Sequence, residues 1–185
     1  PQNEGLIVKV PLPGRTGGDD ANRKELMSYQ KIRQNHADLD HVSHCHGLAE
    51  TDRGTGLICD CIRDHDGQVS ATLWDIVAYQ DTCDLDALIQ AADIFCNYLM
   101  VNDIFLFDIN LKNIAYQKRP DGTYKPYAID LKGPLDNKEF IQFSSRIKFL
   151  GRKKLHRRTK QLLERIVLFR DQRESLKTLH QKSRR

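Results

Sequence analysis

Apolar and polar positions change period along this chain in short blocks, and each block predicts one element. "GLIVKV" (residues 5–10) is rich in β-branched residues and runs into "PLPGRTGGDD", dense in turn formers, so a strand and then a loop are expected. Asp19 or Asp20 is placed to cap a helix over "ANRKELMSYQKIRQN". In that helix Leu26, Tyr29 and Arg33 fall near one face, and Glu25 stands one turn before Tyr29. The stretch from "DHVSHCHGL" to "TGLICDCI" predicts two more short strands joined by a "TDRGTG" turn. "TLWDIVAYQD" puts Leu73, Ile76 and Val77 at helical spacing. "DLDALIQAADIFCNYLMVN" carries the strongest helical signal, with Leu85, Leu88, Ala92, Phe95 and Leu99 at the 3–4 period.

The next apolar run, "FLFDINLKNIAY" (105–116), reads as a buried strand interrupted by Asp108 and, five residues on, by Asn113. A carboxylate among apolar neighbours is costly unless it is paired, hydrogen-bonded or bound to a metal. "RPDGTYKP" is a hairpin turn, and "YAIDLKG" supplies the second strand, so two strands flank a turn and each has an acid at its boundary. The last 45 residues predict basic helix, with Leu155, Leu162, Leu163 and Ile166 near one face.

Bulk properties narrow the class. A chain of 185 residues suits one domain with a real core, and 39% hydrophobic with 29% charged residues is the composition of a globule. No apolar run approaches the roughly 18 residues of a membrane span, and the first ten residues lack the layout of a secretory signal. Five cysteines without disulfide-scaffold spacing point to a reducing cytoplasm. Charge is divided: residues 1–140 hold 14 Lys/Arg against 22 Asp/Glu, net −8, while residues 141–185 hold 15 against 3, net +12. A tail so basic would attract an anionic partner, lipid or nucleic acid, without any specific nucleic-acid motif, although its apolar stripe predicts a helix packed on the domain.

The chemistry lies in the polar residues set among the apolar runs. Lys9 stands in "IVKV", Glu25 in the following helix, Asp108 and Asn113 in "DINLKN" and Asp130 in "IDLKG". Their order and spacing match a phosphoryl-transfer site of the protein-kinase type. There a strand lysine grips ATP phosphates and is held by a helix glutamate, an aspartate takes the acceptor proton, and an asparagine and a second aspartate hold Mg²⁺. Phosphates need a cation, hard Mg²⁺ needs oxygen ligands, and a hydroxyl acceptor needs a positioned base.

"KELMSYQKI", "ETDRGTGLICDCIRDHDGQVSATLWDIV", "NLKNIAY" and "IDLKG" resemble the PhoP regulatory network protein YrbL family, a kinase-like group. The resemblance covers almost the whole chain, and "TDRGTG…DHDG…TL" is its most specific part. It implies an α+β, two-lobed kinase-like fold in one domain, with a small and here incomplete N-terminal lobe over about 1–62 and a mainly helical C-terminal lobe over about 63–185. It further implies a cytoplasmic protein, with no acceptor substrate named; ATP and Mg²⁺ are the cofactors that the phosphoryl-transfer constellation calls for. In that frame "LICDCI" leads to the hinge, and the backbone of Asp60 and Ile62 faces adenine.

Several positions depart from the kinase pattern. The sequence begins eight residues before Lys9, so no glycine-rich phosphate loop precedes it; either a hairpin is missing there or the protein starts there, after loss of Met. Leu106 replaces the usual catalytic-loop histidine, Asp-Leu-Lys-Gly replaces Asp-Phe-Gly, and no Ala-Pro-Glu follows. These departures weaken a protein-substrate platform and leave two readings open: a phosphotransferase acting on an unknown hydroxyl, or a pseudokinase that works through partners. "HVSHCHG" (41–47) gathers His41, His44, Cys45 and His46, but so tight a spacing is unlike that of structural zinc sites. Cys59 and Cys61 alternate on one strand and read as packed thiols.

Overall fold

The computed structural model describes residues 5–12, 18–36, 39–80, 83–106, 108–131 and 145–182. Their order is β1 (Leu6–Lys9), α1 (Gly18–Asn35), β2 (Cys45–Thr51), β3 (Gly54–Asp60), α2 (Leu73–Tyr79), α3 (Leu85–Val101), a 3-10 turn (Leu111–Asn113), β4 (Ile114–Lys118), β5 (Tyr124–Ala128) and α4 (Ser145–Lys182). The described residues thus form a mixed α/β structure with two small sheets and four helices.

β1, β3 and β2 form an antiparallel sheet in that order, with Lys9 opposite Leu57 and Leu6 opposite Asp60. One face of this sheet is closed by α1, whose Tyr29 is buried with Leu57 and Cys59. Asn22 fastens the helix to two strands at once: its Nδ2 donates to the carbonyls of Lys9 at 3.0 Å and Thr55 at 2.8 Å. β4 and β5 form the second sheet, with Ile114 opposite Ala128. The segment before β2 ties the two sheets together, because Ser43 N–H donates to the Ala128 carbonyl and Ala128 N–H to the His41 carbonyl, both at 2.9 Å.

The helices pack as their periodicity demands. Leu73, Ile76 and Val77 of α2 are buried, and Thr72 and Asp75 close a capping box at its start. In α3, Leu88, Ala92, Phe95 and Leu99 are fully enclosed. α4 buries Leu155, Thr159, Leu162 and Ile166 along one stripe, and Phe169 meets Trp74 edge-on at 5.0 Å. Gly151 is needed there: a Cβ at this position would come within 2.9 Å of the Phe105 ring. No helix among the described residues is long and apolar enough to cross a membrane.

Four expectations change. α1 starts at Gly18, so Asp19 and Asp20 lie inside its first turn instead of capping it, and Asp20 pairs with Lys24 at 2.7 Å, one turn on. Arg33 is exposed, because Ile32, three residues after Tyr29, continues the inward stripe. The run 105–116 is not one strand: Ile104–Leu106 and Asp108–Asn110 have no regular structure, a 3-10 turn follows, and β4 starts only at Ile114. Asn113 and Asp130 therefore flank the β4–β5 hairpin at its open end and do not lie on its strands. Residues 13–17 of the expected loop, and Lys132 and Gly133 of the Asp-Leu-Lys-Gly turn, lie outside the described residues.

Candidate functional site

Lys9, the last residue of β1, points towards α1 and the end of the hairpin. Its Nζ donates to Glu25 Oε1 at 2.6 Å and to the Ile129 carbonyl at 2.9 Å. Glu25 also accepts the backbone N–H of Leu131. The ion pair thus holds the residues on either side of Asp130. Burial pushes the Glu25 carboxyl above its ordinary value, the Lys9 ammonium draws it back, and the Asp130 charge adds to the rise.

Asp108 is half-buried and braced from two sides. Its Oδ1 accepts from Asn110 Nδ2 at 2.8 Å and its Oδ2 from Asn113 Nδ2 at 3.2 Å. Asn110 in turn caps the 3-10 turn, its Oδ1 accepting the N–H groups of Lys112 at 2.9 Å and Asn113 at 3.2 Å. The Asn113 carbonyl accepts the Ile129 N–H at 3.0 Å, which joins the Asp108 loop to the segment that Lys9 holds. From the other side, Arg158 of α4 donates to the Leu106 carbonyl at 2.8 Å. One chain of contacts therefore runs from Glu25 and Lys9 through residues 129–131 to Asn113 and Asp108.

Asp60 and Ile62 stand elsewhere, at the far end of β3. The Asp60 N–H is spent on the His44 carbonyl and the Ile62 carbonyl on the Ser70 N–H, both at 2.9 Å.

Sequence reasoning missed the bracing roles of Asn110, Asn22 and Arg158. Only Asn110 carried a local signal, since an asparagine two and three residues before backbone N–H groups is an Asx cap. The partners of Asn22, Lys9 and Thr55, are 13 and 33 residues away in the chain and that of Arg158 is 52 away, beyond any local pattern. Asn113 carries an amide oxygen and Asp130 a carboxylate, donors of the hard type that Mg²⁺ takes, and Lys9 Nζ reaches the carbonyl of Ile129, next to Asp130 in the chain.

Fold and site together define a mixed α/β protein in which a lysine–glutamate pair is seated against an acid-bearing hairpin. The family model for PhoP regulatory network protein YrbL matches residues 1–167, and the chain belongs to that family. Two relatives named YrbL, from Escherichia coli (strain K12) and Shigella flexneri, are each 29% identical over 133 residues, which is 70% of this chain. The matched stretch spans 62% of the length of each relative.

Proposed function

We propose that the chain is a kinase-like phosphotransferase, two-lobed within one domain, that uses ATP and Mg²⁺ to phosphorylate a hydroxyl acceptor in the cytoplasm. The observation that carries this reading is the Lys9–Glu25 pair at 2.6 Å, clasped to the backbone on both sides of Asp130. A merely structural ion pair has no need to sit beside a second carboxylate, whose like charge repels that of Glu25. A site for polyphosphate and a divalent cation does need a lysine and an aspartate side by side.

Bound Mg²⁺–ATP supplies the transferable phosphoryl group. Lys9 binds phosphate oxygens and Glu25 aims it. Asn113 and Asp130 offer oxygen ligands to the cation, and Asp108 takes the proton of the acceptor hydroxyl. The β1–β3–β2 order supports the frame, since it sets the lysine strand beside the strand that leads to Asp60 and Ile62. The exposed basic side chains of α4, among them Arg152, Lys153, Arg157 and Lys160, offer a surface to an anionic partner.

The test is calorimetric titration of ATP with and without Mg²⁺. Wild type should bind only with Mg²⁺, and Asp130→Ala should lose that binding while remaining folded. Unchanged binding by Asp130→Ala would sink the site assignment. A second reading, a pseudokinase acting through partners, draws on the two amides that already occupy Asp108. Nucleotide binding with no ATP consumption in the presence of cell extract would favour it.

A further inference from the structure

The histidine-rich run 41–47 does not act as a unit. His41 turns inward, where Nδ1–H donates to the Pro126 carbonyl at 2.7 Å and the ring lies 4.8 Å from that of Tyr98. Cys45 is buried opposite Cys59. His44 and His46 remain, and β3 brings Asp60 to them. One ring nitrogen from each histidine and one Asp60 oxygen all lie within 4.8 Å of one another. His46 Nε2 is 2.7 Å from Asp60 Oδ1, and the two imidazole centroids are 4.3 Å apart.

A β-bulge produces this grouping. Cys45 pairs with Cys59 but Gly47 pairs with Ile58, which leaves His46 as the extra residue. Gly47 takes a φ of 126°, a conformation that a side chain would strain. Bulges re-aim side chains. Here the bulge swings His46 over the end of β3 towards Asp60.

An ordinary ion pair explains His46 with Asp60, but it does not explain His44. Its Nδ1 is closed to water and has no hydrogen-bond partner among the described residues.

We infer that His44, His46 and Asp60 form a binding site for a zinc-class divalent cation, separate from the oxygen donors Asn113 and Asp130. Two imidazoles and one carboxylate suit Zn²⁺ and its neighbours and do not suit Mg²⁺, which prefers an all-oxygen shell. Three protein ligands also leave a fourth position for water. Zn²⁺ bonds of about 2.0–2.2 Å set tetrahedral ligands roughly 3.3 Å apart, so the group must draw in by no more than about 1.5 Å. His46 is exposed and has room to turn. The bound ion would clamp the start of β2 to the end of β3.

The experiment is calorimetric titration of Zn²⁺ into chelator-washed protein, paired with thermal melting. It uses a Cys61→Ser, Cys83→Ser background, because these are the two less buried thiols. One equivalent of Zn²⁺ should bind and raise the melting temperature, and millimolar Mg²⁺ should not compete. His46→Ala should weaken binding by at least about tenfold, the scale of loss on disturbing a metal's ligand set. Its substitution should leave the metal-free melt unchanged; if it does not, Asp60→Asn carries the same comparison. His36→Ala serves as the control for losing a histidine and should bind as wild type does. Equal Zn²⁺ affinity in His46→Ala and Asp60→Asn, or no binding by the parent protein, would overturn the site.

Discussion

Asp108 shows what a single residue can carry. Both of its oxygens are held by amides of its own loop, Asn110 and Asn113, so its burial is offset before any ligand arrives. Asp108→Asn keeps the shape but can accept only one of the two bonds, which should cost about 1–2 kcal/mol of stability. If Asp108 is the base, phosphotransfer should fall by about 10²–10⁴-fold with nucleotide affinity retained. Equal ATP consumption by wild type and variant would move it to a structural role. Asn110 is spent on capping the 3-10 turn and brings no cation to this loop, so under the proposed phosphotransferase reading turnover should be slow even in wild type. His41 gives a pH prediction at the same scale. Burial lowers its folded pKa below the ordinary 6.5, with Lys125 and Arg119 adding to the drop and Asp40 opposing it. The unfolded chain then takes up the proton first as pH falls. Stability from this residue is present above about pH 6.5 and is lost on acidification below it. Urea midpoints should drop between about pH 7.5 and about pH 5.5, and less steeply in His41→Gln.

Among the elements, α4 decides whether the basic tail is an arm or part of the body. Its inward stripe makes it part of the body. Leu162 is 1% exposed, and Leu162→Ala should cost about 2–5 kcal/mol in urea unfolding, whereas exposed Arg157→Ala should change nothing measurable. A small effect of Leu162→Ala would mean that the helix is only loosely docked. This stripe, like those of α2 and α3, was legible because burial imposes a 3–4 period on every packed helix. The 105–113 stretch misled for an equally physical reason. Leu106, Ile109 and Leu111 are buried as a strand's residues would be, yet the backbone around them is held by side-chain caps, by the Arg158 bond and by the close approach of Phe105 to Gly151, none of which leaves a periodic trace. Of the site, the Lys9–Glu25 pairing was legible from residue type and order. The His44–His46–Asp60 grouping was not, because it depends on a bulge that shifts the register by one residue.

For the molecule as a whole, the Lys9–Glu25 pair joins β1, α1 and the hairpin end, so it can be a structural strut, a phosphate site or both. The two roles come apart in a double-mutant cycle. The pair is only partly enclosed, with side-chain exposures of 28% for Lys9 and 12% for Glu25. Removing one charge strands the other, as Lys9→Met does to Glu25 and to the Ile129 carbonyl. A fully buried pair would lose about 3–5 kcal/mol. Solvent screening brings the expectation here down to about 1–3 kcal/mol. Adding Glu25→Gln removes the stranded carboxylate, together with the burial cost that raises its pKa, so the double variant should recover most of that stability. Recovery of the fold should not bring back function. Without the Lys9 ammonium, Mg²⁺-dependent ATP binding should stay lost in the double variant, even where its urea midpoint matches wild type. Calorimetry on protein of matched stability reads this directly. Native ATP affinity in the double variant would reduce the pair to a strut and leave nucleotide binding to Asn113 and Asp130.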